Sequence, residues 1–202
     1  MKKFISIILS FVLIFTVIPT VNAEAATAKS WKKLYAEYLN SINSTDIEYL
    51  SGKLIYVNDD NIPELFLASS ATYLGDRLLT VYKGKLYEHS MGWYGNFKYL
   101  KKKNRVYFGW GHMGYYGDGV AKLSKGKLVT LGQGTVEAVD EYGDFEVDEN
   151  FDKIGYFRYY WNNKEVTKIS YNKKLHKAMG KKWKKYTTPK TVSISKIKDS
   201  LR

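Results

Sequence analysis

The 202-residue sequence contains no cysteine, three prolines and three histidines. Without cysteine there are no disulfides and no lipid-modified cysteine, so apolar packing must hold the fold together. So few prolines exclude a proline-rich stalk. The longest apolar run, residues 4–18, spans about 15 residues, whereas a membrane-spanning helix needs roughly 20. Neither H-E-x-x-H nor G-x-S-x-G occurs, so two common hydrolase motifs are missing.

The first 25 residues have the pattern of a secretory signal peptide. Lys2 and Lys3 precede the apolar run, which stops at Pro19, and the small residues of Ala23-Glu24-Ala25 follow where a signal peptidase cuts. We therefore expect a secreted, extracellular protein, in contact with the cell wall of a Gram-positive bacterium. Cleavage leaves one domain over residues 26–202, with no integral membrane segment and no nucleic acid as partner.

Charge is distributed unevenly along the chain, whose total is +12. Residues 137–152 carry eight acidic side chains and no basic one, whereas residues 153–202 carry 15 basic and two acidic ones, a net of +13. Outside the cell, such a basic segment suits an anionic cell-wall polymer, a membrane surface or an acidic glycan. The other interpretation is that the lysines only keep the protein soluble.

Two kinds of periodicity predict the fold. Apolar residues at helical spacing predict a packed helix that begins at Ser30: Trp31, Leu34, Tyr35, Tyr38, Leu39 and Ile42. From Leu54 onward, paired apolar segments flank turns centred on Gly84, Asn104 and Gly126, residue types that adopt the positive φ of tight hairpins. Residues 132–152, rich in glycine and then in acids, are predicted to form a long surface loop.

The C-terminal part is predicted to be helical and basic from about residue 167. Thr167 caps a helix that ends at Gly180, and Ile194, Ile197 and Leu201 lie on one side of a second helix. The fold class is therefore α+β: an antiparallel, twisted β-meander of repeated hairpins with a packed N-terminal helix and C-terminal helices.

The polar segment after the first strand is a candidate calcium loop. Alternating loop positions carry the oxygen ligands of such loops, which makes Asn58, Asp60 and Glu64 the metal candidates. The first position is Tyr56 instead of a carboxylate, and Asn61 replaces the usual glycine, so the site would be weak. The alternative is a polar turn with Asn61 in the left-handed region. No other cofactor is expected.

The segment from residue 109 to 119 is rich in glycine and aromatic residues. Gly109 to Gly114 match G-x-G-x-x-G, but a strand follows where a nucleotide-binding loop needs a helix. We predict a flexible aromatic loop whose rings bind a ligand by stacking on sugars, or pack on one another. The ligand-binding candidates are Trp93, Trp110, Tyr115 and Tyr116.

Catalytic candidates are few. His112 and Asp118 are near enough in sequence to form an acid–base pair, and the acids of 137–152 offer paired carboxylates for glycoside hydrolysis. The alternatives are a structural histidine and a solvated acidic loop. The sequence therefore favours a protein that is not an enzyme.

The most concentrated basic cluster surrounds Trp183. Lys181, Lys182, Trp183, Lys184 and Lys185 suit an anionic surface, with the indole at the interface and the lysines on phosphates. The alternative is that Trp183 attaches the C-terminal segment to the rest of the domain.

Three segments resemble a family of secreted proteins and lipoproteins from clostridia and related gut bacteria. They are the helix motif from Trp31 to Leu39, the Tyr56 to Leu65 loop with the following Tyr82-x-Gly84-Lys85, and the segment from Trp161 to Leu175. The Ile62-Pro63-Glu64-Leu65 piece is similar to D-x-D-x-D-G-x-P-E-L calcium loops of extracellular proteins, less one carboxylate. The resemblance implies no activity, and without the lipobox cysteine it implies no membrane anchor. A weaker likeness of residues 99–110 to cell-wall-binding repeats rests on one copy.

These observations predict a secreted, non-enzymatic protein that associates with the cell envelope through its basic C-terminal region. A glycan-active enzyme that uses residues 110–118, and a secreted inhibitor or interaction module acting on another protein, are the alternatives.

Overall fold

The computed structural model describes residues 21–93, 96–139 and 156–202, and the side chains of most of them from residue 31 onward. The helices are α1 (Val21–Ser41), α2 (Ser44–Ile47), α3 (Lys168–Met179) and α4 (Ile194–Leu201), with a 3-10 helix at Trp183–Lys185. In this part of the chain no helix has the length and apolar character needed to cross a bilayer.

The strands form two antiparallel sheets. Sheet A has the order β11-β1-β2-β3-β4, and sheet B has the order β10-β9-β8-β7-β6-β5. Sheet A contains β1 (Leu50–Ile55), β2 (Glu64–Ser69), β3 (Arg77–Tyr82), β4 (Lys85–Ser90) and β11 (Val192–Ser193). Sheet B contains β5 (Lys98–Leu100), β6 (Arg105–His112), β7 (Tyr115–Ser124), β8 (Lys127–Val139), β9 (Tyr156–Trp161) and β10 (Lys164–Val166). The predicted α+β class with a meander of hairpins is confirmed.

Two apolar clusters hold the layers together. The first joins α1 and α4 to one face of sheet A, with Tyr35, Leu39, Leu67 and Ile197 fully or almost fully buried. The second fills the space between the sheets, where Phe66 of sheet A stacks on Phe97 with ring centroids 4.4 Å apart. Because α3 contacts β6, β7, β8 and β9, the order of layers is helices, sheet A, sheet B, helix.

The predicted local signals hold at most turns and helix ends. Lys83-Gly84 and Lys125-Gly126 both have positive φ angles, which is the backbone that two-residue hairpins of this hand require. The Thr167 side chain accepts from the Ser170 amide at the start of α3, and Gly180 follows its last turn with φ +87°. Five of the six predicted apolar positions lie in α1 and Ile42 follows its last residue, and all six belong to the first cluster or pack against it.

Three predictions of local structure are wrong. α1 begins at Val21, so Ser30 lies inside it instead of capping it. Residues 109–119 belong to β6 and β7, which a Met113-Gly114 turn joins in a hairpin, and are not an aromatic loop. Residues 132–139 continue β8 instead of forming a loop, whereas 140–152 lie outside the described residues.

The two loop predictions are wrong because the glycines in these segments make room for aromatic rings within strands. A Cβ on Gly117 would overlap the Trp110 ring on the neighbouring strand, and one on Gly132 would overlap Trp161. Likewise, a Cβ on Gly134 would overlap the ring of Tyr171 from α3. Close approach of a side chain is a known reason for glycine inside a strand. Glycines that lie beneath large aromatic rings are therefore a repeated feature of sheet B.

We expect Gly134→Val to destabilise the protein by about 1–3 kcal/mol, because the added methyl groups meet the Tyr171 ring and α3 must shift away from the sheet. The measurement is the free energy of unfolding in urea. Gln133→Val is the matched control, since Gln133 is an exposed neighbour on the same strand. Equal losses in the two variants would contradict this account of the glycine.

Candidate functional site

The position of α3 on sheet B depends on one carboxylate. Asp118 of β7 accepts a 2.5 Å hydrogen bond from the Tyr107 hydroxyl on Oδ1 and another of 2.5 Å from the Tyr171 hydroxyl on Oδ2. Burial raises the pKa of both phenols well above the usual value of 10, and the charge of Asp118 raises them further. Both tyrosines therefore stay protonated and act as donors. This cluster, Tyr107–Asp118–Tyr171, attaches α3 to the middle of the sheet.

Aromatic contacts with β9 also hold α3 in place on sheet B. The ring of Trp161 meets the Tyr171 ring edge-on, with centroids 5.7 Å apart and planes at 88°. Tyr159 makes a similar contact at 5.5 Å. Edge-to-face pairs of this kind add to the energy of apolar burial. The first half of α3 is thus fixed in both position and rotation.

The segment after α3 folds back along the helix and reaches the outer strand of sheet B. Trp183 stacks on His176 of α3, with ring centroids 3.9 Å apart and planes at 13°. The Tyr186 hydroxyl donates to the Met179 carbonyl at 3.0 Å. The backbones of Thr187 and Tyr99 exchange two hydrogen bonds of 3.0 Å. These contacts support the interpretation in which Trp183 attaches the C-terminal segment to the domain.

A groove with a volume of about 320 Å³ lies between this segment and β5, and we name it the α3–β5 groove. Its polar and aromatic lining consists of Lys98, Tyr107, His176, Trp183, Lys184 and Tyr186. The Lys98 Nζ is 5.8 Å from the Tyr107 ring centroid, and the Lys184 Nζ is 5.4 Å from that of Trp183. Two ammonium groups from separate elements therefore reach one groove, and none of the described residues that line it is a carboxylate.

A second groove, of about 390 Å³, lies on the other side of α3, and we name it the α3–β8 groove. In the part of the chain that the structure describes, its lining is Arg105, Leu131, Trp161, Lys174, Lys177 and Ala178, again without a carboxylate. Burial raises the pKa of Tyr186, in the first groove, to about 12, while the positive charge of Arg105 acts in the opposite direction.

The predicted acid–base pair does not form. Asp118 pairs across the strands with Gly109, and His112 pairs with Tyr115. Because side chains alternate along a strand, Gly109 and His112 are on opposite faces of sheet B, and so are Asp118 and His112. Asp118 is also occupied by two phenols. The prediction fails because the residues that seemed to lie in one loop belong to two paired strands.

The predicted aromatic platforms are divided between the two faces of sheet B. Trp110 and Tyr115 share the face directed to sheet A, whereas Tyr116 lies on the opposite face with its ring over Gly111. Trp93 packs beside Gly75 and remains 40 % exposed, and Tyr115 is 47 % exposed. Tyr94, the neighbour of Trp93 in the sequence, lies outside the described residues. The four candidates therefore do not form one surface.

The three metal candidates do come together. Asn58, Asp60 and Glu64 line a small cavity of about 100 Å³, which Thr80 and the Gly126 turn close on another side. Asn58 donates to Asp60 at 2.8 Å, and Asp60 accepts from the Ile62 amide at 3.0 Å. Asn61 has φ +61°, as the polar-turn interpretation requires. The loop thus satisfies its own polar groups, and calcium binding stays a prediction.

Glu64 is the unusual member of this loop, because its side chain is 3 % exposed. Its Oε2 accepts a hydrogen bond of 2.8 Å from the Val57 amide. Burial raises the Glu64 pKa from 4.5 to about 8, since the charged form is poorly solvated there. The folded protein therefore holds Glu64 mostly protonated at neutral pH.

No protein-family model, curated protein or solved structure matches this chain.

The predicted basic cluster is Lys181–Lys185, and of its lysines only Lys184 lines one of these two grooves. The other lining cations were not predicted from the sequence: Lys98, Arg105, Lys174 and Lys177. Lys174 and Lys177 are three apart, which places them on neighbouring positions of a helix surface, and this spacing was a usable signal. Lys98 and Arg105 are brought to α3 by strand order, which no local pattern encodes.

We expect Glu64→Gln to change how stability depends on pH. In the wild type, the stabilisation from the raised Glu64 pKa is complete below pH 4.5 and is lost as pH rises through about 8. Relative to the wild type, the variant should gain on the order of 4 kcal/mol in unfolding free energy between about pH 4 and about pH 9. Urea denaturation across that range measures the difference.

Glu48→Gln, at an exposed position, is the control and should follow the wild-type profile. Parallel profiles for Glu64→Gln and wild type would contradict a raised Glu64 pKa. Calcium chloride added to the same series tests the calcium hypothesis, because an ion on the Glu64 carboxylate would stabilise the wild type at alkaline pH and leave Glu64→Gln unchanged.

We expect Tyr171→Phe to lower the free energy of unfolding by about 1–3 kcal/mol, since it removes a donor from a partly buried carboxylate. Tyr115→Phe is the matched control, because Tyr115 is 47 % exposed. Thermal unfolding of both variants gives the comparison. An unchanged Tyr171→Phe protein would show that α3 does not depend on the bond to Asp118.

Proposed function

We propose that this chain is a secreted, non-enzymatic binding protein that attaches to an anionic polymer of the cell envelope through the grooves beside α3. One observation carries the proposal: the described residues that line the two grooves on the flanks of a single helix include cationic and aromatic side chains and no carboxylate. Grooves of one charge sign concentrate counter-charged ligands, and low-dielectric walls strengthen the effect.

The charge around α3 supports this function. Residues 168–185 contain eight lysines and no acidic residue. The four ion pairs within the described ranges involve none of the groove cations. Lys174, Lys177 and Lys184 are solvent-exposed, which leaves their ammonium groups accessible to a ligand. A role in solubility alone does not require lysines from separate elements to reach the same groove.

The arrangement of Trp183 favours a polymer over a bilayer as the anionic partner. Binding to a membrane surface places an indole among the headgroups. Here one face of the Trp183 ring is stacked on His176, and the Lys184 ammonium group lies 5.4 Å from the ring centroid. In addition, the cations lie in grooves on the two sides of α3, and a flexible chain enters grooves more readily than a flat bilayer does.

The enzymatic alternative has less support. Its proposed acid–base pair, His112 and Asp118, has side chains on opposite faces of sheet B. The acids of residues 140–152, on which it also drew, lie outside the described residues. Asp118 is engaged by Tyr107 and Tyr171, so it has a structural task. The third alternative, a protein partner, remains as an outcome of the test below.

We expect residues 26–202 to co-sediment with Gram-positive cell walls and to be released as salt rises, because screening weakens contacts between solvent-exposed charges. Walls stripped of teichoic acid should retain much less protein. Lys98→Gln/Lys184→Gln should lower the affinity for intact walls about tenfold or more at low salt, since each lysine near an anionic surface contributes roughly 1 kcal/mol.

Lys83→Gln/Lys85→Gln is the matched control. It removes the same charge from the exposed β3–β4 hairpin, far along the chain from α3, and should bind like wild type. Equal losses in the two double variants would mean that net charge, and not the groove, drives binding. No retention on any wall, together with a stoichiometric soluble complex, would favour the protein-interaction alternative.

A further inference from the structure

The two grooves share one helix, and this suggests how long their ligand must be. We infer that the ligand is a linear polyanion that crosses α3 and places anionic groups in the α3–β5 groove and the α3–β8 groove at the same time. This inference rests on the proposed function and specifies its ligand. It distinguishes a polymer from the small anions that each groove could bind separately.

Neighbouring residues of α3 line the two grooves alternately. Lys174, Lys177 and Ala178 face the α3–β8 groove, whereas Leu175, His176 and Met179 face the α3–β5 groove. Both grooves therefore lie along the same turns of the helix, one on each flank. A ligand that leaves one groove over α3 enters the other without travelling along the surface.

The width of a helix sets the minimum length of such a ligand. An α-helix with its side chains is about 10–12 Å across. A single phosphate or sulfate cannot span that width, and neither can a monomer of a wall polymer. Two anionic groups must be joined by a backbone of roughly that length to interact with both grooves at once.

The lining residues indicate what that backbone resembles. Each groove combines exposed cations with more buried apolar surface: Lys174 and Lys177 lie with Trp161 in one, and Lys184 lies with Met179 in the other. Such surfaces suit charged groups on a polyol or sugar chain, whose carbon atoms contact the apolar residues while the charges meet the lysines. The repeated anionic unit is thus expected to alternate with an uncharged carbon backbone.

Cations on both flanks of α3 allow one chain to contact the two grooves, since Lys174 and Lys177 line the α3–β8 groove and Lys184 lines the α3–β5 groove. Simultaneous contact with both grooves makes the second contact intramolecular. In such cases the overall affinity exceeds that of either site by about 10²–10⁴-fold when the linker spans them.

The experiment uses the full mature chain and two pairs of probes, with affinities calculated per phosphate. Long poly(glycerol phosphate) is compared with monomeric glycerol phosphate, and long-chain polyphosphate is compared with tripolyphosphate. Three proteins are titrated: wild type, Lys98→Gln/Lys184→Gln and Lys174→Gln/Lys177→Gln. We expect wild type to prefer each long probe by at least tenfold, and each double variant to lose most of that preference.

The short probes and the control keep the test specific. Lys83→Gln/Lys85→Gln should retain the wild-type preference for long chains. If both groove variants keep the wild-type preference for long probes over short ones, and their losses of affinity are simply additive, bridging is overturned while the proposed function stays intact. If instead both groove variants bind cell walls as well as wild type does, the proposed function is overturned, and bridging with it. Circular dichroism and unchanged melting of the variants exclude misfolding as the cause of a lost preference.

Discussion

The hydrogen bonds from Tyr107 and Tyr171 to Asp118 are the interaction on which the candidate site depends. They connect α3 to the centre of sheet B through a carboxylate that would be costly to leave unpaired in this partly buried position. Trp161 and Gly134 then pack around the Tyr171 ring, which restricts the helix to one position on the sheet. Both grooves exist because α3 lies on the sheet at this place, with open space on each flank.

The two sheets are joined by polar contacts as well as by the apolar layer. The Thr80 hydroxyl donates to the Gly126 carbonyl at 2.6 Å, and His89 Nε2 lies 2.9 Å from the same oxygen. The tip of the β7–β8 hairpin is thus held on the inner face of sheet A. β7 also carries Asp118, which binds Tyr171 of α3. The position of α3 therefore depends on how this hairpin is placed against sheet A. The site therefore depends on both sheets, although only sheet B lines it.

The sequence predicted well those features that depend on local chemistry. The Thr167 cap, the Gly180 stop and the positive φ of Gly84 and Gly126 follow from properties of single residues. It failed where glycine had a distant partner: Gly117 and Gly132 look like loop residues until Trp110 and Trp161 are seen over them. The grooves were unpredictable for a related reason, because Lys98 and Lys184 line one groove only after β5 pairs with β6 and Thr187 pairs with Tyr99. Strand order is a property of the whole chain.

The backbone pairing between Thr187 and Tyr99 has a consequence for the behaviour of the protein in solution. β5 is the outermost strand of sheet B, and an exposed outer strand invites pairing with another chain. Thr187 occupies the donor and acceptor of Tyr99, so the segment that builds one groove also blocks lateral growth of the sheet. A truncation that removes this segment should therefore expose the edge of β5 to pairing with another chain and promote self-association.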